Sequence, residues 1–416
     1  MRLTNPKDSS HINIEEYNLA DSKLYSDDDV HLIWHAMRER APIHWTETEN
    51  GLGFWSVTKY KDVKNVLSNH KDFTSERGTL LTLLGTEDPA GGKQVTVTDP
   101  PRHTKLRRPM QKGFTHKSLD KLENVIKAEV RRLLLPAVEG EVIDFAQAMF
   151  ALSTSVAGAI LGLPSKDWPL ITQLTAMSIA PDDPKYQLKE GAQATLQYAH
   201  REIFSYFGDL IMEKEEWEED ELLSILLHQT VDDEPLDFGT ILANCYTLLL
   251  GATVTTPHVP TATIYTLMEQ GGFSEWAKQP EFLKMGIQES LRWSSPASHI
   301  MRYARNDTEI RGQRIRKGEA VVSWIASANR DEEIFEKPYT FNFKRKYNPH
   351  ISFGRGVHFC MGHLAANQTL EILFSEIFRT FEGFELCGDV EHLSSNFIGG
   401  IKHFPIKGKV RRNVKV

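Results

Sequence analysis

The sequence predicts a mostly α-helical protein with small β-sheets. Three observations carry that expectation. Apolar residues recur at helical spacing from about residue 117 onward. Runs that read as strands are short and bounded by glycine, and lie near the N-terminus and again towards the C-terminus. A long apolar stretch, Ile241 to about Met268, suits a helix through the middle of the fold. The chain has 416 residues, 40% hydrophobic and 25% charged, which is globular composition with ample material for a core. No Gly/Ser linker, repeat or low-complexity tract offers a place to divide it, so a single domain over 1–416 is expected.

In chain order, APIHWTETENGLGFWSVTKYKDVKNVL reads as two short strands about a glycine-containing turn, the second from Phe54 to Thr58, followed by a helix. SLDKLENVIKAEVRRLLLPAV is helical, and so is FAQAMFALSTSVAGAILGL, which Pro164 closes. Further helices cover about 186–214 and DELLSILLHQ. Between them, EKEEWEEDE at 213–221 reads as a solvated helix end or loop. Beyond the apolar stretch, QESLRW places Glu289 and Arg292 three apart on a helix. TEIRGQRIRKGEAVVSWIASANRD then gives short strands with turns at Gly312 and Gly318.

Charge and cysteine usage exclude several functions. A net charge of −8 without a dominant basic block argues against a nucleic-acid partner. No apolar run reaches the ~18–20 residues that span a bilayer, and MRLTNPKDSS is not a signal peptide, so a soluble cytoplasmic protein with no membrane partner is expected. Cys245, Cys360 and Cys387 are too few, and odd in number, for a disulfide framework. No Cys-x2-Cys pair starts a structural zinc site. Cys245 in ILANCYTLLL and Cys387 in FEGFELCGD read as small buried hydrophobes.

Cys360 has different surroundings, ISFGRGVHFCMGH. Gly354, Gly356 and Gly362 let the backbone turn and approach a flat object closely, and Phe353 can lie against it. A thiolate bound to iron needs backbone amides aimed at sulfur and shielding from water. The helix predicted after Cys360 brings the positive end of its dipole to that sulfur.

Phe353-x-x-Gly356-x-His358-x-Cys360-x-Gly362 resembles the haem-binding signature of the cytochrome P450 family, the haem-thiolate monooxygenases. API at 41–43, WSVTKYKDV at 55–63, DPPRHTKLRR at 99–108, LGLP at 161–164, DELLSILL at 220–227 and ANRD at 328–331 look like its soluble bacterial members. The resemblance implies the family's fold, with the long central helix over haem b (iron protoporphyrin IX). It makes Cys360 the metal ligand, with Phe353 and Gly362 in the cofactor cradle. His103, Arg107, Arg302 and His358 would contact the haem propionates, since two carboxylates entering a low-dielectric interior need charge-assisted partners. Glu289 and Arg292 match the family's Glu-x-x-Arg pair behind the haem, although such a pair alone reads equally well as surface partners worth ~0.2–0.5 kcal/mol.

Two segments depart from the family pattern. Its usual Ala/Gly-Gly-x-Asp/Glu-Thr-Thr stands here as Gly251-Ala252-Thr253-Val254-Thr255-Thr256. By resemblance Gly251 and Ala252 leave room for dioxygen and Thr255 orients a water, but Val254 cannot relay a proton. Pro257 and Pro260 should kink the helix and free carbonyls, such as those of Thr253 and Thr256, to hold water in place of the lost acid. Ala252, Thr255 and Thr256 are therefore the expected catalytic residues. His258 is a weaker substitute relay. After Cys360 the family's Leu-Ala-Arg-x-Glu is replaced by Ala365-Ala366-Asn367-Gln368-Thr369.

The resemblance also frames substrate and partners. The pocket should be lined by segments around 74–98, 168–190, 248–256, 297–301 and 397–401, with Leu80, Leu81, Leu83, Leu84, Ile300 and Met301 suiting a largely apolar small molecule with a few hydroxyls or amides. Resemblance to bacterial tailoring enzymes suggests a secondary-metabolite substrate, a polyketide or peptide, free or tethered to a carrier protein. No Gly-x-Gly-x-x-Gly stands between a strand and a helix, so electrons should come from a ferredoxin or flavodoxin with its reductase. Lys105, Arg108, Lys112 and Lys117 offer a basic docking patch. Three functions remain open: a monooxygenase that hydroxylates or epoxidises; a haem-thiolate oxidase giving desaturation, cyclisation or aryl coupling, or a peroxide-driven variant; and a non-catalytic haem-binding or recruitment module.

Overall fold

Helices form most of the structure, and their ends follow from local chemistry. Asp144 caps Phe145–Leu161 by accepting from the Gln147 N–H, and Gly162 ends that helix at φ 81°. Asp237 caps Phe238–Thr253, its carboxylate 2.9 Å from the Thr240 backbone N and 2.6 Å from the Thr240 hydroxyl. Leu249, Val259, Leu291 and Phe374 meet in the largest core, so the central helices, Leu283–Ser294 and His363–Thr380 share one interior. The computed structural model describes residues 8–412 apart from 28, 49, 50, 215–217 and 220, and the side chains of His116 and Lys117 also lie outside it.

One five-stranded sheet joins distant parts of the chain. Its order is Ile43–Glu47, Gly53–Val57, Ala320–Trp324, His299–Ala304 and Phe73–Thr74, with Gly53–Val57 parallel to Ala320–Trp324 and the other pairs antiparallel. Phe54, Met301, Val322 and Trp324 pack with Trp34 and Tyr25 in a second core. The register sets Arg302 opposite Val321, so the sheet places that guanidinium.

Several expectations need correction. The stretch Ile241 to Met268 is not one helix: Phe238–Thr253 and His258–Gln270 are separated by a four-residue turn ending at Pro257, which lacks the N–H to continue. Taken together, Phe238–Gln270 is long and apolar enough to cross a bilayer, contrary to the expectation from uninterrupted runs; half of its most apolar window is buried inside the protein. The helix expected over 186–214 begins at Ala192, after Gly191 at φ 96°. DELLSILLHQ is helical only over Leu222–Leu227. In the acidic run 213–221, Lys214 pairs with Glu221 at 2.9 Å; 215–217 and 220 lie outside the described residues. Both strands of the N-terminal hairpin form, while Glu49 and Asn50 of its turn are likewise outside.

Candidate active site around Cys360

The loop before Cys360 is shaped by its glycines. Gly354 and Gly356 adopt φ 68° and 71°, and a Cβ on Gly356 would come within 2.8 Å of the Leu67 carbonyl oxygen, so only glycine fits there. The Cys360 N–H donates to the Phe353 carbonyl at 2.8 Å, folding the loop back on itself. Helix His363–Thr380 follows at once, and His363 Nδ1 lies 2.9 Å from the Cys360 carbonyl oxygen. Phe353, Phe359 and His363 form a triangle of rings, with Phe353 6.2 and 6.1 Å from the other two centroids and those two 5.0 Å apart. Burial pushes the Cys360 thiol up, while the Gly362 N–H and the Arg107 charge act the other way. Residues 352–364 are half-buried apart from exposed Gly356, although protein surrounds Cys360 closely. The accessible surface of Cys360 therefore faces inward.

The four basic residues expected around the cofactor come together, the charges of Arg107 and Arg302 both acting on His358. His103 and His358 stack with ring centroids 4.4 Å apart. His103 is buried, neither ring nitrogen has a hydrogen-bond partner among the described residues, and burial pushes its pKa down to about 3. Arg302 is buried too, its pKa pushed to about 10 by burial against the pull of Asp99, and it donates to the Met301 carbonyl at 2.9 Å. Arg107 joins the histidines to the cysteine loop: it donates to the Phe359 carbonyl, and its charge acts on His103, His358 and Cys360. Sequence reasoning missed the hub of this region, Asp99. Its carboxylate accepts from Thr74 at 2.5 Å and Ser75 at 2.7 Å, pairs with Arg305, and lies 3.8 Å from His358 Nε2. Burial pushes its pKa up, but hydrogen bonds from His358, Thr74 and Ser75 outweigh that and hold it well below the usual carboxylate range.

Behind the loop, Glu289 and Arg292 are both fully buried, which removes the surface-pair reading. Arg292 donates to both carboxylate oxygens at 2.8 Å and to the carbonyls of Asn329 and Pro338 at 2.9 Å. Arg345 adds a second guanidinium on Glu289 at 2.9 Å, a partner with no signal in the local sequence. Asn329 extends the network to the loop: it accepts from the Ile351 N–H at 2.9 Å and donates to Ser352 Oγ at 2.9 Å, just before Phe353.

On the central helix, Ala252 lies in the last turn of Phe238–Thr253 and Thr255 and Thr256 in the turn beyond, all three half-buried. Among the described residues no hydrogen bond or ion pair joins them to the Cys360 loop. The Thr256 carbonyl accepts from the Val259 N–H at 3.2 Å, so it is already engaged, unlike the expectation; Pro257 has no N–H to give Thr253. Val254 is buried with Ala180, Leu393 and Ile398, and Leu250 and Phe397 pack against that cluster. His258 is fully buried against Phe150 and Gly400, and burial pushes its pKa down to about 3, which removes it as a relay at neutral pH. Of the expected pocket leucines, Leu80 and Leu83 are half-buried, whereas Leu81 and Met301 belong to the second core, with Leu84 packed against it. Ile300 packs on a third core.

An iron protoporphyrin fits this set: an inward-facing thiol, a glycine-shaped cradle, and buried His103 and Arg302 with donor capacity left for carboxylates. Comparison with known proteins agrees. The family model for cytochrome P450 matches residues 22–161 and 275–400, more than half of the chain. Cytochrome P450 NovI of Streptomyces niveus is 31% identical over 398 residues, covering 95% of this chain and 97% of that protein. Linalool 8-monooxygenase of Pseudomonas putida is 28% identical over 406 residues, covering 94% and 99%. Among solved structures, P450 OxyD, involved in the biosynthesis of vancomycin-type antibiotics, superposes with a TM-score of 0.84 at 29% identity, covering 95% of this chain and 100% of that one. CYP109E1 from Bacillus megaterium, in complex with testosterone, gives 0.82 at 29% identity, covering 93% and 99%. The cofactor of these enzymes is haem b. This chain belongs to the cytochrome P450 family of haem-dependent monooxygenases.

Proposed function

We propose that this chain hydroxylates or epoxidises a largely apolar small molecule, as a tailoring step in the biosynthesis of a polyketide or peptide secondary metabolite. The observation that carries the proposal is the inward-facing Cys360 thiol in a cradle backed by the buried Glu289–Arg292–Arg345 network. NovI and OxyD, the latter described as involved in antibiotic biosynthesis, support the substrate class. A carrier-protein-bound substrate is compatible with it. One domain over 1–416 performs the reaction, because strands from 43–57, 299–304 and 320–324 share a sheet. A cytoplasmic location fits that function.

When bound, haem supplies the redox chemistry that activates dioxygen with electrons from outside the protein. The residues here bind and shield it. Cys360 would hold the iron, the Gly362 N–H and Arg107 would steady the charge on its sulfur, and Phe353 would shield the loop from water. His103 and Arg302 take the propionates, with His358 stacked on His103. Ala252 would leave space beside the bound group, Thr255 Oγ1 would hold a proton-carrying water, and Thr256 would extend the polar edge of the turn. A ferredoxin or flavodoxin with its reductase delivers electrons. Arg108 and Lys112 are exposed for docking, whereas Lys105 is paired with Asp232 and the Lys117 side chain lies outside the described residues.

The test is turnover of haem-loaded protein with ferredoxin, reductase, NADPH and dioxygen against apolar polyketides and peptides. A product heavier by one oxygen supports the proposal; electron consumption without oxygenated product from any of them overturns it. Burial of Val254 where the family usually has an acid favours a second reading, a peroxide-driven or oxidase reaction giving desaturation, cyclisation or aryl coupling. Hydrogen peroxide replacing the electron donors and dioxygen at equal or better rate selects the peroxide-driven form.

A further inference from the structure

Tyr246 lies on helix Phe238–Thr253, about 9 Å along the axis from Ala252 at ~1.5 Å per residue. Its hydroxyl is 2.7 Å from His200 Nε2 on helix Ala192–Glu213, and its ring stacks on Phe204 with centroids 5.3 Å apart. Ser178, on helix Trp168–Ile179, reaches the same hydroxyl, and the Asp88 carboxylate acts on both Tyr246 and His200. Three helices and a loop thus converge polar groups on one phenol. Protein surrounds Tyr246 closely, yet the residue keeps accessible surface. One turn further along the same helix face, Leu250 packs against the apolar cluster of Val254, Phe397 and Ile398.

Proton bookkeeping selects the ligand. Tyr246 has one proton; the Ser178 hydroxyl spends its own on the Leu174 carbonyl at 2.9 Å, so its oxygen can accept from Tyr246, as can His200 Nε2 in the tautomer protonated at Nδ1. Whichever takes it, the phenol oxygen has only a lone pair left for a third partner. The Asp88 charge nearby favours a donor in that place and repels a carboxylate.

We propose that Tyr246, held by His200, is a specificity-determining acceptor for a hydroxyl or amide N–H, at the end of an apolar substrate remote from the oxidised carbon. The inference rests on the oxygenase reading above and names the substrate group that it recognises. The experiment titrates haem-loaded protein with 1-dodecanol, its methyl ether and dodecanoate, following the Soret shift in wild type, Tyr246→Phe and His200→Leu. One hydrogen bond corresponds to wild type binding the alcohol about 5- to 10-fold tighter than the ether. Dodecanoate binds no better than the ether. Tyr246→Phe, which keeps the ring on Phe204, abolishes the preference, and His200→Leu reduces it. Equal binding of alcohol and ether by wild type, no binding of either, or a preference that survives in Tyr246→Phe with an unchanged melting temperature overturns the inference. A missing red-shifted carbon monoxide band before any titration overturns the oxygenase reading itself, so the two failures are distinguishable.

Discussion

The Thr255 hydroxyl donates to the Gly251 carbonyl across 3.3 Å, at the point where helix Phe238–Thr253 gives way to the turn ending at Pro257. The side chain takes the place of a helical N–H and keeps a lone pair for water. Thr255→Ala therefore lowers product formed per electron consumed by about 10-fold or more, while Thr255→Ser keeps most of it. Product and NADPH measured together check this; unchanged coupling in Thr255→Ala contradicts the role.

Val254 is 3% exposed and packed among apolar side chains. Restoring the family's acid there does not simply restore a relay. Val254→Glu buries a carboxyl without a partner and destabilises the protein by about 2–5 kcal/mol, read from urea unfolding. A midpoint equal to wild type shows that the side chain reaches water instead.

Glu289 carries two guanidiniums in full burial, so removing either side leaves uncompensated charge. Arg292→Ala costs about 3–5 kcal/mol, and Glu289→Ala leaves Arg292 and Arg345 facing each other at similar cost. Burial raises the Glu289 pKa, but Arg292 and Arg345 outweigh it and hold the value below 4.5. The pair's contribution is present above that pH and is lost as pH falls below it. Unfolding free energies near pH 7 within 1 kcal/mol of wild type contradict this account.

The parts that were legible in the sequence are those encoded by near neighbours. Glycine spacing around Cys360 announced the cradle, and Pro257 announced a kink where the structure has a full break between two helices. The Glu289–Arg292 spacing was visible, but a helix surface gives the same spacing; burial by Arg345, Asn342 and Asn348 decides the matter, and those partners are remote in the chain. Asp99 was hidden for the same reason, since Arg305 meets it across 206 residues. Helix Val30–Arg40 escaped because its buried face includes His31 and Arg38, which blur the apolar periodicity. Leu81 and Met301 were placed in the pocket by resemblance of their segments, whereas they belong to one core with Trp34 and Trp324.

Burial pushes the pKa of His258 to about 3 and those of His299 and His350 to about 4, against 6.5 for each. Between pH 6.5 and about 4 the unfolded chain binds protons that these folded imidazoles refuse. Stability therefore falls with pH across that window, at up to ~1.4 kcal/mol per pH unit for each fully titrating ring. His258→Asn makes the decline shallower, measured as urea midpoints at pH 7.5, 6 and 5. An unchanged slope contradicts the assignment of His258 as a buried neutral ring.

The central claim is that Cys360 holds haem iron as a thiolate. The most direct measurement is the absorption spectrum of the reduced, haem-loaded protein under carbon monoxide, beside Cys360→Ser. The account predicts a strongly red-shifted Soret band in wild type that is lost in the variant. A folded wild-type protein that binds haem but shows the unshifted band of histidine or neutral-thiol ligation contradicts it.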